Sequence, residues 1–209
     1  MFKRIFGERN KEFYTPAECL LHILEETRGI AKSLRKEEGA REMTERLAII
    51  FGWLVAVLNY LEIDMEDALW FKYPGICPYC FAKKNCFCIS DEHKYNPDEV
   101  NLNHFRRETE RMPRSLSKQQ KLFKEIYGRI NAIMTRQQIW NHFMEELGEM
   151  SYELRHKNEQ KLKEESADVL AWLIAFCIRI DVDLDEIVWH TYHGKCNVCA
   201  NAVCECPYV

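Results

Sequence analysis

The chain has 209 residues, 47% of them hydrophobic and 30% charged, with a formal net charge of −4. That composition supports one substantial core or two small ones and excludes disordered and collagen-like classes. The slightly acidic balance gives no general case for nucleic-acid binding, although His104 to Gln138 holds nine Lys or Arg against three Glu, a local excess that would steer an anionic ligand.

Met1 to Asn10 carries Lys3, Arg4 and Arg9, but no apolar run follows, so no secretory leader is expected and the predicted location is cytoplasmic. Thr15, Pro16 and Glu18 form a helix start. Ile23, Ile30 and Leu34 then recur on one helical face, and Leu47, Ile50, Leu54, Val57 and Leu61 on the next. The run Leu47 to Leu61 falls short of the roughly 20 residues a membrane-spanning helix needs, so it reads as a buried core helix and no membrane partner is expected. A shorter third helix leads to "CPYCFAKKNCFC". Ile89 to Ser115 is polar, carries Pro97 and Pro113, and reads as a linker between domains. Beyond it, Ile139, Phe143, Leu147, Met150 and Leu154 form one stripe, and Leu162, Val169, Leu173, Phe176 and Ile180 another. The chain closes on "CNVCANAVCEC". No strand-like alternation of comparable length occurs, so the predicted class is all-α.

Sliding the sequence along itself by about 120 residues lays "TPAECLLHILEE" over "TRQQIWNHFMEE", matching His22 with His142 and both Glu pairs. Small slips then bring Trp70 onto Trp189 and the first four clustered cysteines onto the last four. The chain reads as an internal duplication: a degenerate repeat over 1–88, a linker over 89–115 and an intact repeat over 116–209.

Of ten cysteines, eight fall into two groups of C-x-x-C followed by C-x-C: Cys77, Cys80, Cys86 and Cys88, then Cys196, Cys199, Cys204 and Cys206. Thiols in fours suit two closed, structural zinc sites. An iron–sulfur cluster is the alternative, and ligands exchanged between copies, Cys77 and Cys80 with Cys204 and Cys206, also fit the spacing. Cys19 and Cys177 lie on apolar stripes and are expected to be packed.

Glu146 and Glu149 share one helix face, and Glu165 and Asp168 share a face on the next helix. Both pairs lie at the edge of an apolar stripe without Lys or Arg inside either pair. Partly buried like charges need a compensating cation there, and oxygen-only ligation favours Mg²⁺ or Mn²⁺. In the first copy Glu149 is matched by Gly29 and Asp168 by Ala48, while Glu26 and Glu45 remain. Joint loss of one acid from each pair is what members of one site would show.

The segments "EELGEM", "EESADVLAWLIAF" and "DVDLDEIVW" resemble the MazG-like all-α nucleotide pyrophosphohydrolases, over about Gln138 to Trp189 and, more weakly, Cys19 to Trp70. The resemblance implies tandem MazG-like repeats forming an intramolecular pseudo-dimeric bundle, since family members usually build the site across a dimer. It also implies Mg²⁺ held by Glu146, Glu149, Glu165 and Asp168, and hydrolysis of a nucleoside triphosphate to the monophosphate and pyrophosphate. Glu145, beside the first ligand, would orient or deprotonate the water. Where the family places Lys and Asn for the phosphates, this chain reads "WHTYHGKC". His190, His193 and Lys195 are the candidate replacements, with Lys72 at the matching place in the first copy. Trp172 is a candidate base platform, although its setting in "VLAWLIAF" favours the core, and His142, shared with His22, reads as structural. The competing function is a non-catalytic adaptor that binds nucleic acid or a protein through the cysteine ends and the basic linker. Further homo-oligomerisation fits either. A di-iron bundle is set aside, because neither Glu146 nor Glu165 is followed by His three residues later.

Overall fold

The computed structural model describes residues 1–88 and 115–207, so the linker read over 89–115 lies, except for Ser115, outside the described residues. The described residues form eight α-helices and no strand: α1 (Phe2–Phe13), α2 (Pro16–Arg35), α3 (Arg41–Tyr60), α4 (Met65–Lys72), α5 (Leu116–Ile133), α6 (Arg136–His156), α7 (Glu159–Arg179) and α8 (Leu184–Tyr192). The all-α expectation holds.

Local chemistry sets the helix starts. Thr15 caps α2 and Thr135 caps α6, each with a full capping box closed by Glu18 or Gln138 three residues on. Asn158 and Ser115 cap α7 and α5 with their side-chain oxygens. Helix α1 is an element that the apolar spacing does not announce. Phe2 and Ile5 supply its buried face, and so few apolar positions give a weak periodic signal.

The chain divides into two compact units, 1–64 with 184–209 and 65–183. These cut the chain differently from the repeat boundaries 1–88 and 116–209. Unit 1 holds α1, α2 and α3 together with α8 and the last cysteine group. Unit 2 holds α5, α6 and α7 together with α4 and the first cysteine group. Each short helix, with the cysteines behind it, thus belongs with three helices from the other half of the chain.

In unit 1, α3 packs against α1, α2 and α8, and Phe2 sets its ring edge-on to Phe51 and Tyr192 at 5.8 and 4.9 Å. Helix α3 is the one described helix long and apolar enough to cross a membrane, yet half of that apolar window is buried against its neighbours. In unit 2, α7 packs against α4, α5 and α6, with Trp140 stacked on Phe143 at 4.7 Å and tilted against Phe176 at 4.9 Å.

Burial corrects the register between α3 and α7. Setting Met43 on Leu162 places all nine buried residues of α3 on buried residues of α7; one step further along, Met43 and Leu58 fall on Lys163 and Ile178, which are not buried. The slip lies in the α2–α3 turn, after Glu37 (φ 55°), whose counterpart Lys157 (φ 56°) ends α6. The turn in the first half has one more residue before the next helix. Glu165 therefore corresponds to Arg46, and Asp168 to Ile49, in place of the Glu45 and Ala48 read from the sequence.

Candidate active site

The acids of α6 and α7 meet in unit 2. Carboxylate oxygens of Glu146, Glu165 and Asp168 lie within 4.8 Å of one another. Glu149, one turn after Glu146, is exposed and lines the same cavity without joining that triplet. The cavity is about 560 Å³ in volume. Glu145 also lines it, with His142 Nδ1 at 3.2 Å from its carboxylate.

These acids crowd one another. Burial, then the charges of Asp168 and Glu149, push the Glu146 carboxyl up to about 8. Burial likewise pushes Glu165 to about 7 against the opposing pull of Lys72. Asp168 is raised by burial, while Lys72 and Tyr73 act the other way. Carboxyls whose ionisation is opposed by burial and by one another are ones that a cation would relieve.

Helix α4 and the residue after it supply the partners. Lys72 forms an ion pair with Asp168, and Tyr73 donates its hydroxyl hydrogen to the same carboxylate. Burial would lower the Lys72 pKa, but Asp168 and Glu165 hold it above the ordinary value. Of the phosphate-binding candidates, Lys72 reaches the acids. His190, His193 and Lys195 belong to unit 1, and none lines this cavity. The sequence carries no sign of Tyr73, because a buried tyrosine on an acid has no spacing signature.

Trp172 is half-buried and faces the cavity, contrary to the expectation of a core residue. Its indole N–H donates to Glu146 Oε1 at 3.2 Å, and its ring stacks on His142 at 4.4 Å and 14°. The cavity therefore has an acidic end and an aromatic wall. Asn131, on α5, is buried in that wall with its side-chain N–H₂ unpartnered.

The cysteines form two separate groups, Cys77/Cys80/Cys86/Cys88 and Cys196/Cys199/Cys204/Cys206. Exchange of ligands between the two, which the spacing left open, does not occur. Both knuckles fold alike. The Cys77 and Cys196 N–H groups donate to Ala82 and Asn201 at 2.9 Å, and the Cys86 and Cys204 N–H groups donate to Ile126 at 2.6 Å and Ile5 at 2.7 Å. Phe81 and Ala200, after each C-x-x-C, take left-handed φ of 58° and 59°. Those contacts tie the first knuckle to α5 and the second to α1, making α1 and α5 counterparts. Three sulfur separations in the first group run from 3.4 to 3.8 Å, and all four sulfurs lie within 4.8 Å of one another. Four sulfurs about 2.3 Å from a tetrahedral centre lie about 3.8 Å apart, so the group fits one zinc-sized ion. Each group holds a thiol whose pKa is lowered. Backbone N–H groups hold Cys199 down at about 6, and at Cys80 burial is outweighed by the Ala82 backbone and neighbouring thiols.

Residues 134–193, spanning α6 to α8, match the MazG nucleotide pyrophosphohydrolase domain. No characterised protein and no solved structure matches the chain.

Proposed function

We propose that the chain is a Mg²⁺-dependent nucleotide pyrophosphohydrolase that converts a nucleoside or deoxynucleoside triphosphate to the monophosphate and pyrophosphate. The observation that carries this reading is the meeting of Glu146, Glu165 and Asp168 at the acidic end of an aromatic-walled cavity, inside the segment that matches the MazG domain. Three crowded carboxylates with raised pKa values and oxygen-only donors suit a hard divalent cation, Mg²⁺ or Mn²⁺, with Glu149 as the fourth ligand. That ion would supply positive charge against the triphosphate and the departing pyrophosphate.

The protein's own groups do the rest. Lys72 is the fixed positive charge beside the acids and holds a phosphate once a cation occupies them. Tyr73 keeps Asp168 aimed. Glu145, paired with His142, receives the proton of the attacking water. Trp172 and His142 bind the base by stacking, which fixes the distance from base to triphosphate. We further infer that the chain arose by internal duplication, that its two cysteine knuckles each hold one structural zinc, and that it acts in the cytoplasm.

Incubation with a panel of ribo- and deoxyribonucleoside triphosphates in Mg²⁺, scored for pyrophosphate, tests the reading. Turnover lost in Glu165→Gln supports it. Pyrophosphate from none of the panel would favour the non-catalytic adaptor.

A further inference from the structure

Unit 1 has a cavity of its own, about 410 Å³, and several positions of its wall repeat those of unit 2. His22 stacks on Trp53 at 4.3 Å and 15°, as His142 stacks on Trp172 at 4.4 Å and 14°. His22 faces Glu25 at 2.9 Å, as His142 faces Glu145 at 3.2 Å. Tyr192 lines it where Tyr73 lines the other. Tyr14 adds a second aromatic edge, 5.2 Å from both Trp53 and His22.

The differences that bear on phosphate and metal lie at the other end. Ile49 stands for Asp168, Gly29 for Glu149, Thr191 for Lys72, and Arg46 for Glu165. The Arg46 guanidinium bonds Glu26 Oε2 at 2.7 Å, so the one acid retained from the triplet already has its cation. The Arg46 side chain crosses Gly29, where any side chain would collide with it. The Thr191 hydroxyl donates within its own helix to Ile187 at 2.8 Å. Arg9, the cation lining this cavity, is spent on Tyr14, Cys206 and Pro207. What remains, among the described residues, is an aromatic slot bordered by the second cysteine knuckle, without a carboxylate site for Mg²⁺ and without a spare cation for phosphate.

We infer that unit 1 binds an uncharged heteroaromatic base, as a free nucleobase or nucleoside, against the wall that Trp53 and His22 form, without Mg²⁺. The inference rests on the reading of Trp172 and His142 as the base wall of the catalytic cavity. A slot that lacks the phosphate-facing groups but has the same stack, in about 410 Å³, retains what a base needs and nothing a triphosphate needs.

The test is calorimetry of unphosphorylated nucleosides against the full zinc-loaded chain carrying Trp172→Ala, which disables the catalytic wall. One site per chain should remain, with affinity unchanged by Mg²⁺. Adding Trp53→Ala should weaken it at least tenfold; should that variant fail to fold, His22→Ala, a partly exposed position, should do the same. No nucleoside binding in Trp172→Ala, or binding untouched by the changes at Trp53 and His22, would overturn the inference. Pyrophosphate release by the unaltered chain is scored separately, so failure of the catalytic reading is not confused with failure of this one.

Discussion

Each unit has a cavity with a Trp–His stack in its wall, and the two cavities differ at one end. In unit 2 three carboxylates crowd together and are neutralised from outside their own helices, by Lys72 and, in our reading, by Mg²⁺. In unit 1 a guanidinium grown from the same helix face does that work permanently, with Arg46 on Glu26. One ion exchanges with solvent and can carry a substrate with it; the other cannot. In our reading of the chain as a duplication, Arg46 takes over in unit 1 the charge balance that a metal ion supplies in unit 2.

The comparison breaks first on activity. Asp168→Asn should reduce pyrophosphate release by on the order of 10³-fold, the scale of several kcal/mol of lost charge stabilisation, while Ile49→Asn in unit 1 should leave it within about twofold. Comparable losses from both would mean that unit 1 takes part in the chemistry. On the knuckles the two units should behave alike: metal analysis should find two zinc per chain, and Cys77→Ser with Cys80→Ser, or Cys196→Ser with Cys199→Ser, should each remove one and melt the corresponding unit first. Iron in place of zinc would reassign both sites.

A pH series separates the units next. Glu146 titrates near 8 in the folded protein against an ordinary 4.5, so the folded state holds its proton more tightly than the unfolded chain. Unfolding then releases protons between those values, and metal-free stability must fall as pH rises from about 5 to about 8. Melting in Mg²⁺-free buffer should show that fall, Glu146→Gln should reduce it while Glu165 keeps part of it, and Arg46→Met should leave it. Smallest is Arg46→Met itself. The pair it breaks is partly solvent-exposed, so its loss should lower stability by about 0.5 kcal/mol in chemical denaturation.

Much of this contrast is legible in the amino-acid sequence. The stripes led by Ile139 and Leu162 mark α6 and α7, because regular apolar spacing is what a buried helix face requires, and E-x-x-E with E-x-x-D marks the acids. Thr15 announces its capping box. Where the sequence misleads, the causes are physical. A one-residue insertion in the α2–α3 turn leaves Glu45 in apparent register with Glu165, since identical letters outweigh burial when burial is unseen. Arg46 is thereby hidden as the replacement cation. Trp172 looks like core because its neighbours in sequence are core; its own direction on the helix faces the cavity. His190, His193 and Lys195 are expected near the acids because they follow them in the chain. The exchange of the fourth helix sends them to unit 1 and brings Lys72 in their place.

That exchange also governs how the chain must fold. Helix α8 docks on α3, more than a hundred positions earlier in the sequence, so unit 1 is completed only after nearly all of the chain is available. Contacts so distant in sequence slow folding and leave the α3 groove uncovered meanwhile. At high protein concentration the short helix that arrives first can belong to another molecule, and refolding should then yield swapped dimers whose fraction grows with concentration. A linker joining the halves in one polypeptide raises the effective concentration of the correct partner, turning an encounter between molecules into a ring closure within one.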